Sequence, residues 1–89
     1  MSDNDYRLRT GDVVRHVPSG EDWEVLYADY ESGYMSWIGW PPGRARIADC
    51  ELVRKCTDEQ HARDVDLVLD GGHDPAVKAR VARLAGRAT

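Results

Sequence analysis

Five side chains in this 89-residue chain have the chemistry of metal ligands or nucleophiles: His16, Cys50, Cys56, His61 and His73. Zinc sites usually pair two ligands two to four residues apart on a tight knuckle. Five residues separate Cys50 from Cys56, and four separate Cys56 from His61. The candidate ligands His16, Cys50, Cys56 and His61 therefore lack a tight pair, and the spacing predicts two partly buried thiols beside imidazoles rather than a metal centre. The same residues give the possible Cys–His nucleophile pairs, but nothing in the sequence draws them together or lowers a thiol pKa. No serine stands in a nucleophile elbow. Gly71-Gly72 follows a helix and lacks the Lys-Ser/Thr that would hold phosphate and magnesium. The carboxylates sit in turns and caps. No catalytic constellation and no cofactor site emerges, so the expectation is a protein that binds rather than an enzyme.

Amphipathic aromatics carry more information. Six of the seven Tyr and Trp residues fall within 11–54, and the chain has no Phe. Each ring thus combines a large apolar area with one polar tip, which suits a surface that recognises a partner. Trp23 and Trp37, with Val25, are expected in the core, because a chain this short needs large core residues. Tyr30, Tyr34 and Trp40 flank turns, where exposure is expected. Tyr30, Tyr34, Trp37 and Trp40, with Arg44 and Arg46, form the candidate partner-binding set. A basic stripe of Lys78, Arg80, Arg83 and Arg87 is a second candidate surface for phosphate or an acidic protein.

These residues need elements to hold them. Between 11 and 54, short strand-like pieces alternate with Gly, Pro and Asp signals: about 13–17, 22–28, 34–40, 44–47 and 51–53. Pro18-Ser19-Gly20 and 29–33 are turns. The stretch Ala48-Asp49-Cys50-Glu51-Leu52 is short enough to be a single helical turn instead. Thr57-Asp58-Glu59-Gln60 is a capping box that opens a helix over 58–70, with Ala62, Val65, Val68 and Leu69 at helical spacing. Gly71-Gly72 ends it. Asp74-Pro75 opens a second helix over 75–86, with Val77, Val81 and Leu84 on one stripe. The predicted class is α+β, mainly β: a small five-stranded barrel over 7–56 and a helical extension over 57–89, after a disordered stretch at 1–6.

Eighty-nine residues make one domain with a small core. The net charge of −4 argues against general nucleic-acid binding. Residues 57–74 hold six acids and one base, whereas 75–89 hold four bases and no acid. Two oppositely charged helices of this kind can pair as a hairpin, within one chain or across a homodimer. Two cysteines are too few for a disulfide scaffold, the start of the chain lacks an apolar run, and no segment reaches the length of a membrane span. The expected setting is cytoplasmic.

Gly11-Asp12-x-Val14-x-His16, Pro18-Ser19-Gly20 before Trp23-x-Val25, and Cys50-Glu51-Leu52-Val53 resemble the SH3-like barrels of small bacterial and phage proteins of unknown function. The resemblance covers about half of the chain. It implies a barrel that engages a protein partner; related ribosomal-protein-like and Tudor-like barrels bind RNA and methylated side chains. Gly11-Asp12-Val13-Val14-Arg15, Ser19-Gly20 and Trp23 also look like the tetrameric plasmid-borne type II dihydrofolate reductases. That family contacts folate and nicotinamide through a Val-Gln-Ile-Tyr segment, where this chain reads Ala45-Arg46-Ile47-Ala48, so only Ile47 carries over. The expectations are, in order, a non-enzymatic protein-binding module, a nucleic-acid-binding barrel, a structural homo-oligomer and, most remote, a reductase of that type.

Overall fold

A computed structural model of the chain describes residues 6–39, 41 and 43–87. The order of elements is β1 (Val13–His16), β2 (Glu21–Asp29), β3 (Tyr34–Ile38), β4 (Arg44–Arg46), a 3-10 turn (Ile47–Asp49), β5 (Cys50–Arg54), α1 (Asp58–Asp70) and α2 (Pro75–Leu84). The strands form one antiparallel sheet in the order β4-β3-β2-β1-β5. Among the described residues no ladder joins β4 to β5, so the sheet is open and the class is α+β. Of the stretch 48–52 read as a possible helical turn, only Ala48 and Asp49 lie in the 3-10 turn; Cys50, Glu51 and Leu52 belong to β5. β3 ends two residues earlier than expected, at Ile38, before Gly39 takes φ +135°. Residues 1–5, Trp40, Pro42 and the last two residues lie outside the described set.

β2 organises the interior because it is bulged. Val25 pairs with Trp37 and Tyr27 with Ser36, which leaves Leu26 as an extra residue. A bulge of this kind breaks the two-residue alternation of a strand. Val25 and Ala28 therefore share one face, in a cluster with Val14, Met35 and Ala45. Leu26 and Tyr27 both pack into a second cluster with Val65 and Val68 of α1 and Val81 of α2. Burying each such aliphatic side chain contributes roughly 1.5–3 kcal/mol, so the helices are held by their apolar faces on the back of β2.

The helices start where the side chains dictate. The Gln60 amide donates to Thr57 Oγ1 at 3.0 Å, and the Ala76 amide donates to Asp74 Oδ1 at 2.8 Å, with Pro75 following directly. Leu67 falls off the apolar stripe of α1 and is exposed.

The leading segment is tied in by Asp12, which has no solvent exposure. Its Oδ2 accepts from the Tyr6 hydroxyl at 2.8 Å and from the Arg9 amide at 3.1 Å; its Oδ1 accepts from the Cys56 amide at 2.9 Å. Burial, and then the bond to Asp12, push the Tyr6 phenol up to about 12. Asp12→Ala strips both backbone donors of their acceptor and should destabilise the protein by about 2–4 kcal/mol, since each buried unsatisfied group costs about 1–3 kcal/mol. Urea unfolding followed by Trp fluorescence measures this, and an unchanged midpoint would contradict the role given to Asp12.

Candidate binding surface

The turn between β2 and β3 is built by Asp29. Its Oδ1 accepts from the Glu31 amide at 3.0 Å, and its carbonyl accepts from the Gly33 amide at 2.9 Å. Gly33 takes φ +82°, which a side chain would strain. The Ile47 amide then donates to the Gly33 carbonyl at 2.9 Å and brings the end of β4 against the turn. The result is a groove of about 380 Å³ lined by Tyr30, Tyr34, Arg46 and Ile47, with Gly33 and Ala48 among its other walls.

The β3–β4 register explains the cations around it. Tyr34 faces Arg46 and Ser36 faces Arg44 across the ladder, so both arginines stand on the Tyr34 side of the sheet. The Arg44 guanidinium lies 5.5 Å from the centre of the Tyr34 ring. Arg7, from the leading segment, lies 4.9 Å over Tyr30, whose hydroxyl accepts from the Leu8 amide at 2.8 Å. Arg7, Arg44 and Arg46 are exposed, and none makes an ion pair among the described residues. Four of the expected residues, Tyr30, Tyr34, Arg44 and Arg46, are thus brought together.

Trp37 is not with them. It shares the opposite face with Val25 and Met35, and it stacks on Trp23 at 4.0 Å, which in turn stacks on His16 at 4.5 Å. The indole N–H groups donate to Pro41 O at 3.0 Å and, from Trp23, to Glu21 Oε1 at 3.3 Å. A Cβ at Gly43 would come within 2.9 Å of the Trp37 ring, so the glycine is what lets the ring lie flat there. Trp23 and Trp37 are half-buried at the rim of the first cluster. Trp40 lies outside the described residues.

The basic stripe of α2 points inward to protein groups. Arg80 donates to the Tyr27 hydroxyl at 3.1 Å and sits 5.2 Å over that ring. Arg83 lies 3.8 Å from Asp29 and 3.9 Å from Glu31. Arg87 pairs with Asp66 and donates to the Ala62 carbonyl at 3.3 Å. Lys78 is half-buried and makes no ion pair among the described residues. Only Arg87 makes the expected bridge between the two helices; Arg80 and Arg83 bind β2 and its turn instead.

Four of the five histidines and cysteines fall into two separate pairs, and exposed His73 belongs to neither. His16 faces Cys50 across the β1–β5 ladder. The Cys56 thiol and His61 Nδ1 both donate to the Thr10 carbonyl, at 3.5 and 2.8 Å. Burial pushes both thiols up, Cys56 further helped by Asp12 and Cys50 by Asp49, which is the reverse of what a nucleophile needs. No group of three metal-ligating side chains occurs among the described residues. No known protein family, curated protein or solved structure matches this chain.

Two acidic residues that the sequence does not single out meet between sheet and helix. Asp64 of α1 buries Oδ2 without a partner, against Gly11, where a Cβ would stand only 2.8 Å away. Glu24 of β2 is raised from its usual 4.5 by burial, then by the Asp64 carboxyl beside it, while Arg54 opposes the shift. A carboxylate close by disfavours a second negative charge, as burial does, so both hold Glu24 toward its neutral form. Folding raises the Glu24 pKa; its contribution is complete below 4.5 and is lost as pH climbs through the folded value. Urea midpoints measured from pH 4.5 upward should therefore fall more steeply for the wild type than for Glu24→Gln. Parallel profiles would refute the raised Glu24 pKa.

Proposed function

We propose that the chain is a non-enzymatic binding module, an SH3-like barrel with a helical hairpin docked on its back, that engages a protein partner through Tyr30, Tyr34, Arg44 and Arg46. Its support is the groove beside β4, where two tyrosines stand among three exposed arginines that have no carboxylate partner among the described residues. Aromatic and arginine side chains together are the usual anchors of a protein interface. The strand order, with a 3-10 turn leading from β4 to β5, agrees with the barrel reading. The partner chemistry that fits is an acidic segment, because unpaired guanidinium groups supply donors in a fork that matches carboxylates.

A nucleic-acid reading draws on the same Arg44, Arg46 and Tyr34, since stacked bases and phosphate want aromatic and cationic groups side by side. The α2 stripe gives it little further support, because Arg80 and Arg87 already donate to groups within the chain and Arg83 stands beside the acids Asp29 and Glu31.

Affinity capture with the wild type and with a Tyr34→Ala/Arg46→Ala variant tests the protein-binding reading, circular dichroism confirming that both fold. Losing two anchors should weaken the complex by about 2 kcal/mol or more, roughly thirtyfold. Equal capture by the variant would sink this reading. Mobility shift of single-stranded RNA or DNA at low salt, absent in Arg44→Ala/Arg46→Ala, would favour the second reading instead.

A further inference from the structure

A second cavity, of about 360 Å³, opens where the leading segment, the end of β2 and both helices converge. Its size is at the lower end of small-ligand pockets. It shares Tyr30 with the groove, and Arg7 over that ring borders both; its other walls are its own, and the function proposed above uses none of those.

Its polar groups divide by charge. The cations of its lining are Arg7 and Arg83. Arg83 reaches Asp29 and Glu31 only at 3.8 and 3.9 Å, beyond hydrogen-bond length, so its fork is open to a closer acceptor. Arg7 is held over the Tyr30 ring and has no ion pair among the described residues. Its acids are the Asp29 carboxylate, only 10% exposed, and Glu31, both near Arg83. His61 joins the acceptors: its Nδ1 hydrogen goes to the Thr10 carbonyl, so in the neutral ring Nε2 keeps its lone pair. Leu8, Leu84 and Ala85 supply an apolar wall, with Leu84 left 40% exposed.

A simple anion would meet the Asp29 and Glu31 carboxylates, and a simple cation would meet the two guanidinium groups. A ligand with both charges a few ångströms apart satisfies both sets and releases Arg83 from its two distant acids. We propose that this cavity binds a free α-amino acid with an apolar side chain: its carboxylate on Arg83 and Arg7, its ammonium group on Asp29 and Glu31, and its side chain against Leu8 and Leu84. The termini of peptides present only one of the two charges, so the free zwitterion is the better match.

Titrating the full chain with L-leucine, N-acetyl-L-leucine and L-leucinamide, followed by amide signals in nitrogen-15 correlation spectra, separates these possibilities. L-leucine should give saturable shifts at Leu8, Tyr30 and Leu84. Each blocked derivative should bind about tenfold more weakly or worse, as expected for one lost charge-assisted contact of about 1.5–3 kcal/mol. Arg83→Gln and Glu31→Gln, both at exposed positions, should each weaken L-leucine to a similar degree, whereas Tyr34→Ala, in the neighbouring groove, should leave it unchanged. The proposal is overturned if L-leucine gives no saturable shifts, if either blocked derivative binds as tightly, or if Arg83→Gln has no effect.

Discussion

Asp12 takes its carboxylate wholly out of solvent and spends it on donors from stretches of chain that are far apart in sequence: Tyr6 and Arg9 on one side, Cys56 on the other. A buried carboxylate is tolerable only when its oxygens are satisfied, so these donors must be in place together. Thr10 repeats the pattern one turn earlier. Its hydroxyl donates to the Leu26 carbonyl at 2.7 Å, and its carbonyl receives Cys56 and His61. Arg9 adds bonds to the Cys56 carbonyl and to Asp58. Because Cys56 directly precedes the Thr57 cap, the position from which α1 departs follows from this knot. The seating of α1 over Leu26 and Tyr27 then follows from that departure point, and α2 packs in turn on both.

That seating works only because β2 changes phase. A regular strand would place Val25 and Tyr27 on one face and Leu26 and Ala28 on the other. With Leu26 extra, the strand offers Val25 and Ala28 to the sheet's own cluster and two adjacent large residues to the helices. A chain of 89 residues gains two small cores from one nine-residue strand in this way. The same device sends the rest of the outer face, with Tyr34, Arg44 and Arg46 on β3 and β4, beyond the reach of the hairpin.

Local signals in the sequence were sufficient where the physics is local. Thr57 and Asp74 cap the helices as their neighbours predict, Pro-Gly and Asp-Gly patterns mark the turns, and the five strands fall close to the expected stretches. Tyr34 is exposed beside a turn, as anticipated. Non-local facts were out of reach. Alternation along β2 gives two partly apolar sets and no hint of where the phase slips, so Tyr27 reads as a companion of Val25. Asp12 reads as a turn residue of a Gly-Asp opening, because nothing nearby in sequence names Cys56 as its donor. Arg7 sits in a polar lead-in, and its place over Tyr30 depends on the Leu8 amide meeting a hydroxyl 22 residues away. Glu24 and Asp64 look like two of many surface acids until sheet and helix are packed together.

The distribution of arginines changes the force of the net charge. The total of −4 suggests a body that repels anions. Four of the twelve bases lie in the last fifteen residues, and three of those four are engaged by Tyr27, Asp29 and Asp66. They therefore hold α2 in place and do little to set the outward field. The acids of α1, in contrast, are largely exposed, on the back of the sheet. What stands around the β4 groove is Arg7, Arg44 and Arg46, with no acid pairing them among the described residues. At an ionic strength where charges are screened beyond about 8–10 Å, that local set decides what the groove attracts, and the total charge of the chain does not. An acidic chain can in this way carry a basic, aromatic patch on a part of its sheet that its own helices leave uncovered.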